Sequence, residues 1–259
     1  MDSVVIKPKE SLADYVELIY SNEAEEFNYH GLSSPSINSE IFFSFGDYFS
    51  FANYSIEKGT TELSSISKNQ LYAIPVNAKG YHSTSGIILK PWAFLYINAI
   101  DGKSTYHLSQ QTIISELKKQ LVHLEKDLKI SSMEDKSKIL YSFVKNKISF
   151  KEINPTFTKI YSAINAFDKN VMKIEDLVAF SHISQKTFIE IFKAHIGINP
   201  LKYLQFRAIE YSLKKLQDPY LTLSQIALDS GFYDQSHFNR VFKGFMQMTP
   251  NQYRLMQND

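Results

Sequence analysis

The sequence predicts an α+β protein of two domains. The N-terminal domain is β-rich and barrel- or sandwich-like, with a helical dimerisation segment. The C-terminal domain is all-α, with two helix-turn-helix units joined by a linker helix. Three observations point there. Short β-branched and aromatic runs, broken by Gly and Pro, fill the first part of the chain. From Gln110 the apolar spacing becomes helical. Residues 174–250 contain an internal repeat.

Composition bounds the answer. The chain has 259 residues, with 44% apolar and 21% charged side chains, few Gly or Pro and no Cys. That suits an ordinary globular protein of about two domains, at roughly 100–200 residues each. It excludes a disulfide scaffold, a thiolate metal site and a cysteine nucleophile. The opening MDSVVIKPKE lacks a signal-peptide layout, and the longest apolar candidate, Ile87–Ile100, is interrupted by Lys90-Pro91. A cytoplasmic protein with no membrane contact is expected. Residues 1–154 carry 16 basic and 18 acidic side chains, net −2; residues 155–259 carry 12 and 9, net +3. All three arginines, Arg207, Arg240 and Arg254, lie in the second part. This asymmetry hints at nucleic-acid contact without establishing it.

Strands are expected at Ile41–Phe45, Tyr48–Tyr54, Leu71–Ile74 and Ile87–Leu89. Breakers are expected at Gly46-Asp47, Lys58-Gly59, Pro75, Lys79-Gly80 and Pro91. Leu12–Tyr20 fits a strand or a helix equally well. Helices follow over about 110–148. Ile114, Leu117, Leu121, Leu124 and Leu128 recur at steps of 3, 4, 3 and 4. Two readings of that seam stand: a helix packed on its own domain, or a homodimer interface. Ser132 can cap a second helix, whose apolar face is Ile139, Leu140, Phe143, Val144 and Ile148. These features define a sensing and dimerisation domain over 1–150. A linker at Phe150–Pro155 separates it from a helical domain over 156–259.

In the repeat, Ile174, Leu177 and Val178 match Leu223, Ile226 and Ala227 at an offset of 49. Phe188, Ile191, Phe192, Lys193 and Pro200 match Phe238, Val241, Phe242, Lys243 and Pro250 at an offset of 50. The slip falls in the turn, where insertions are tolerated. Each copy reads as a short helix, a tight turn and a longer helix. Ser184 and Asp234 suit the caps of the longer helices, and Gly231 suits a positive φ in the turn. Between the copies, Asn199 caps a helix with Pro200 in its first turn, running to about Gln217. Its apolar positions are Leu201, Leu204, Ile209, Leu213 and Leu216. Such a rod could hold two reading helices about one DNA turn, ~34 Å, apart.

The string Ala227-x-x-x-Gly231-Phe232-x-Asp234-x-Ser236-His237-Phe238-x-Arg240-x-Phe242-Lys243, followed by Thr249-Pro250-x-x-Tyr253-Arg254, resembles the signature of the AraC/XylS family of transcription regulators. The likeness spans roughly Thr158–Gln257. The chain departs from the family at Gln247, where Gly is usual, and at Val178, where Ala is usual. Ser39–Gly46 (SEIFFSFG) and Ser85–Phe94 (SGIILKPWAF) resemble the sensor domain of a subgroup of these regulators. The resemblance implies two helix-turn-helix units entering successive major grooves of DNA.

The candidate DNA contacts are Gln185, Lys186, Thr187 and Lys193 in the first copy. In the second they are Gln235, Ser236, His237, Asn239, Arg240 and Lys243. An arginine fork at Arg240 fits guanine or phosphate, or it pairs with Asp234 or Glu210. Lys186 and Glu190 stand at i, i+4 and can pair with each other. His237 reads as packing or a phosphate contact, since no second ligand stands at i+3 or i+4. No HxH, HExxH, GxSxG, Walker A or GxGxxG pattern occurs, so no enzyme activity, metal or cofactor is expected. The N-terminal aromatics (Phe42, Phe43, Phe45, Tyr48, Phe49, Phe51, Tyr54 and Trp92) read as core, with a ligand cavity lined by such residues as the alternative and Trp92 the one named candidate for a ligand contact. Expected partners are double-stranded DNA, a second copy, a small-molecule effector and RNA polymerase. The competing class is a ligand-binding or enzymatic β domain whose helical part is only an interaction module.

Overall fold

The structure, a computed structural model, describes residues 1–51, 54–56, 64–67, 70–166 and 173–258. The Lys58-Gly59 breaker lies outside the described residues. The chain divides into two compact units. One comprises Met1–Gln70 with Ile74–Glu152, the other Leu71–Ala73 with Ile153–Asp259.

The first unit is built on a six-stranded antiparallel sheet: β1 (Asp2–Ile6), β2 (Val16–Leu32), β3 (Ser39–Phe51), β4 (Tyr54–Ile56), β5 (Ser64–Ser67) and β6 (Pro75–Leu89). The order is β1-β2-β6-β3, with β4 and β5 both pairing along β3. Three of these strands outrun the sequence reading. Gly46-Asp47 does not end a strand; it forms a bulge in a continuous β3 opposite β6. Gly46 has φ +136, and a Cβ there would stand 2.2 Å from the Tyr81 carbonyl oxygen, so only Gly lets the strands meet. Asp47 Oδ2 accepts the Tyr81 amide at 3.0 Å and anchors the bulge. Lys79-Gly80 and Pro75 likewise lie within β6, with Gly80 at φ +86. Leu71–Ile74 is not a strand. Leu12–Tyr20 resolves into a 3-10 turn, Glu10–Asp14, and the start of β2.

After Pro91 come a one-turn helix α1 (Ala93–Tyr96), β7 (Ile97–Ile100) and β8 (Lys103–Ser104). Helices α2 (Gln110–Ile130) and α3 (Met133–Lys147) lead into β9 (Ile148–Phe150), which pairs with β7. Ser109 and Ser132 cap the two helices, accepting the amides of Thr112 and Asp135. The α2 seam turns inward. Leu117, Leu121 and Leu128 are 0% exposed within the unit, while Ile114 and Leu124 are half-buried. Of the two readings of the seam, the burial of Leu117, Leu121 and Leu128 supports a helix packed on its own domain. Helix α3 lays Leu140, Phe143 and Val144 on the sheet, and against expectation also buries Lys136 and Ser137. They meet a polar row on the same sheet face. Ser137 Oγ donates to Ser21 Oγ at 2.8 Å, as does Ser85 Oγ at 2.9 Å.

The second unit contains seven helices among the described residues: α4 (Pro155–Ala166), α5 (Ile174–Ser181), α6 (Gln185–Ile196), α7 (Pro200–Lys215), α8 (Leu223–Asp229), α9 (Gln235–Met246) and α10 (Pro250–Asn258). Its core is largely phenylalanine. Phe188, Phe192, Phe238 and Phe242 are 0% exposed. Full burial of one such ring contributes about 1.5–3 kcal/mol. Helix α7 packs against α6, α8 and α9, so it joins the two copies. Its inward face is Tyr203, Phe206, Ile209 and Ser212; Leu201, expected there, is 57% exposed.

Candidate nucleic-acid interface

The repeat folds as two like motifs, α5–α6 and α8–α9, and the same local chemistry starts and stops each long helix. Ser184 Oγ accepts the Thr187 amide at 3.3 Å, and Asp234 Oδ1 accepts the His237 amide at 2.7 Å. Asn199 Oδ1 does the same for Lys202 at 2.8 Å, with Pro200 at the first helical position of α7. Helix α6 ends on Gly197 at φ +84, and α9 ends on Gln247 at φ +61. The departure at Gln247 thus keeps the left-handed turn; the Gln side chain bonds the Gly244 carbonyl at 3.1 Å. Gly231 takes φ +84 in the second motif, while His182 takes φ +54 in the first.

These caps and the buried phenylalanines fix which faces of α6 and α9 remain in water. Gln185, Lys186 and Lys193 are exposed on α6, and Thr187 is half-buried. Thr187 belongs to the cap, its Oγ1 accepting from Ser184 Oγ at 2.9 Å. On α9, Ser236, Arg240 and Lys243 are exposed, while Gln235, His237 and Asn239 are half-buried. Among the described residues no ion pair involves Arg240, and Lys186 and Glu190 do not pair. The guanidinium thus stands free of the acidic partners considered for it.

Three α9 residues are less available than the sequence suggests. Gln235 Oε1 accepts from Ser224 Oγ at 2.7 Å, tying α9 to α8. The His237 ring packs edge-on against Phe232 with centroids 5.4 Å apart. Asn239 is turned inward, its Oδ1 buried without a protein partner. At the far end, Arg254 donates to the carbonyls of Leu216 and Leu221 at 3.3 and 2.9 Å. It braces α10 against the loop that opens the second motif, a role in framing the site that spacing alone did not reveal.

Two other expectations concern the first unit. Trp92, the named candidate for a ligand contact, is packed into the unit. It is 4% exposed, and its indole donates to the Asp14 carbonyl at 2.8 Å. The unit does contain a cavity of about 400 Å³, on the sheet face opposite α3, lined by Tyr20, Glu40, Phe42 and His82 among others. The first-half aromatics offer such a cavity as an alternative to core, and Phe42, Phe49 and Phe51 line it; the sequence reading did not include Glu40 or His82. The available signal was Glu40 and Phe42 on one side of a strand whose other residues are mostly apolar. Among the described residues no group of three or more His, Asp or Glu could hold a metal ion. No described helix is long and apolar enough to cross a membrane.

A family model described as a helix-turn-helix domain matches residues 177–256. An uncharacterized HTH-type transcriptional regulator of Haemophilus influenzae is 36% identical over 89 residues, which cover 33% of this chain and 29% of that protein. The chain thus spans less than a third of the length of this curated relative. LumQ of Photobacterium leiognathi, named a probable transcriptional regulator, is 24% identical over 193 residues, covering 69% of this chain and 77% of LumQ. Among solved structures, ToxT from Vibrio cholerae aligns with 92% of this chain and 98% of its own at 16% identity, with a TM-score of 0.44. Other matched relatives include AraC-like transcription regulators of Streptomyces. Residues 177–256 of this chain thus match a helix-turn-helix domain.

Proposed function

We propose that the chain is a sequence-specific, DNA-binding transcription regulator of the AraC/XylS type. Helices α6 and α9 enter successive major grooves, and the N-terminal domain modulates binding. The observation that carries this reading is the pair of water-facing helix sides, each held by its own cap and phenylalanine core. One of them presents Arg240 free of any described ion pair. In a major groove, such an arginine donates two hydrogen bonds to guanine O6 and N7 or to a phosphate. Lys186, Lys193 and Lys243 supply phosphate contacts, each adding to the salt dependence of binding. Gln185 and Ser236 reach base edges; Thr187, Gln235, His237 and Asn239 act from the groove margin. Helix α7, 16 residues at ~1.5 Å each, is about 24 Å long and spaces the two motifs.

The protein works as a cytoplasmic homodimer that recruits RNA polymerase as an activator, without a membrane, a cofactor or a catalytic step of its own. The dimer surface lies outside Leu117, Leu121 and Leu128. The cavity in the first unit supports a small-molecule effector. Selection of bound sequences from a random duplex pool tests the reading. It predicts enrichment of a motif with two blocks about one helical turn apart. An unenriched pool after repeated rounds would overturn it.

A further inference from the structure

We propose that the cavity of the first unit binds an organic cation: a small amine or quaternary ammonium with an apolar body. The strands give its two ingredients. On β3, the Phe45 ring meets Lys136 of α3, while Glu40 and Phe42 line the cavity. The bulge at Gly46-Asp47 shifts the alternation of side chains, so Phe49 and Phe51 join Phe42 at the cavity. Phe42 meets Phe49 and Phe51 edge-on, at 70° and 73° with centroids 6.2 and 5.8 Å apart. Phe49 and Phe51 are near parallel. Rings at right angles about one volume offer their negative faces to a cation.

The charge of the wall agrees. Among the described residues, Glu40 is the one carboxylate lining the cavity, and neither Lys nor Arg lines it. Tyr20 donates to Glu40 Oε1 at 2.6 Å, which orients the carboxyl. Burial pushes the Glu40 carboxyl up despite that bond, and lowers the His82 imidazole, which favours its uncharged form. A carboxylate robbed of water is stabilised by an incoming ammonium. A neutral guest leaves it uncompensated, and an anion meets like charge. The volume, about 400 Å³, lies within the range of small-molecule sites, roughly 300–1,000 Å³.

This inference names a ligand class for the effector domain proposed above. Its test uses the full chain without DNA, so failure here and failure of the DNA reading are separable. Calorimetric titration with 4-phenylbutylamine, 4-phenylbutanol and 4-phenylbutyrate compares three charges on one body. The amine should bind about tenfold more tightly than the alcohol, equivalent to ~1.4 kcal/mol, and the carboxylate more weakly than either. Glu40→Gln keeps the volume and an acceptor for Tyr20, and should erase the preference for the amine. Phe51→Leu should weaken the amine more than the alcohol, and it supplies the answer if Glu40→Gln fails to fold. The proposal is overturned by equal affinity of wild type for amine and alcohol, by preference for the carboxylate, by no binding of any of the three at millimolar concentration, or by an amine preference that survives Glu40→Gln.

Discussion

Lys136 Nζ donates to Ser83 Oγ at 2.8 Å although only 4% of the lysine side chain is exposed. Glu23 Oε1 lies 3.6 Å away, and the Phe45 ring lies under the ammonium at 5.4 Å. The charge is therefore held by one hydrogen bond, one partly exposed carboxylate and one aromatic face, while its stem fills the space between α3 and the sheet. Lys136→Ala should cost about 2–3 kcal/mol, because it removes the stem and leaves Ser83 without its donor. Lys136→Met, which keeps the stem, should cost less. Urea midpoints at unchanged slope measure both; equal losses would contradict the packing part of this account.

Leu121 sits at the centre of the α2 seam and is 0% exposed. Leu121→Ala should destabilise the chain by about 2–5 kcal/mol. Thermal melting and sedimentation together check it. A stable variant with an altered oligomeric state would restore the intermolecular seam that burial argues against.

Gln247 holds a left-handed φ of +61 where its counterpart in the first copy, Gly197, has +84. A side chain there costs about 1–2 kcal/mol, offset in part by the backbone freedom Gly brings to the unfolded state. Gln247→Gly should therefore raise stability by about 0.5–1 kcal/mol. A lower denaturation midpoint would show that the Gln247 bond to Gly244 outweighs the strain.

His195 stacks on Phe157 at 4.1 Å and bonds the Ile191 carbonyl at 2.8 Å. Burial lowers its imidazole below the usual range and outweighs that bond. Near pH 6.5 the unfolded chain thus takes up a proton that the folded chain does not. Its contribution is present above about pH 6.5 and is lost as pH falls toward the lower folded value. His82 acts with the same sign. His195→Gln should reduce, without abolishing, the loss in melting temperature on acidification from about pH 7.5 to about pH 5.5. An unchanged loss would place the titration elsewhere.

The sequence was most legible where local chemistry repeats. Ser132, Ser184, Asn199 and Asp234 each cap the helix they were expected to cap, since an N-cap needs only the right side chain beside the right amides. Long strands were less legible. In β2, Glu23, Glu25 and Glu26 break the alternation, and the pairing that overrides them comes from β6, far along the chain. Gly46 looked like a terminator because a bulge and a turn use the same residue. Lys136 and Ser137 looked solvent-facing because their partners, Ser83 and Ser21, stand on other elements. At the interface, spacing placed Arg240 and Lys243 outward. It could not place Asn239 inward, bring Gln235 against Ser224 or set Arg254 on two carbonyls. Those outcomes depend on how α8, α9 and α10 close on one another.

The central claim is that both copies of the motif, not one, meet the same duplex. Hydroxyl-radical footprinting on a selected duplex, with wild type and Arg240→Ala, tests it most directly. Wild type should protect two clusters on one face of the DNA about one turn apart. Arg240→Ala should lose about 1–3 kcal/mol of affinity at unchanged melting temperature, with protection fading first in one cluster. A single cluster with wild type, or an Arg240→Ala footprint and affinity identical to wild type, would contradict it.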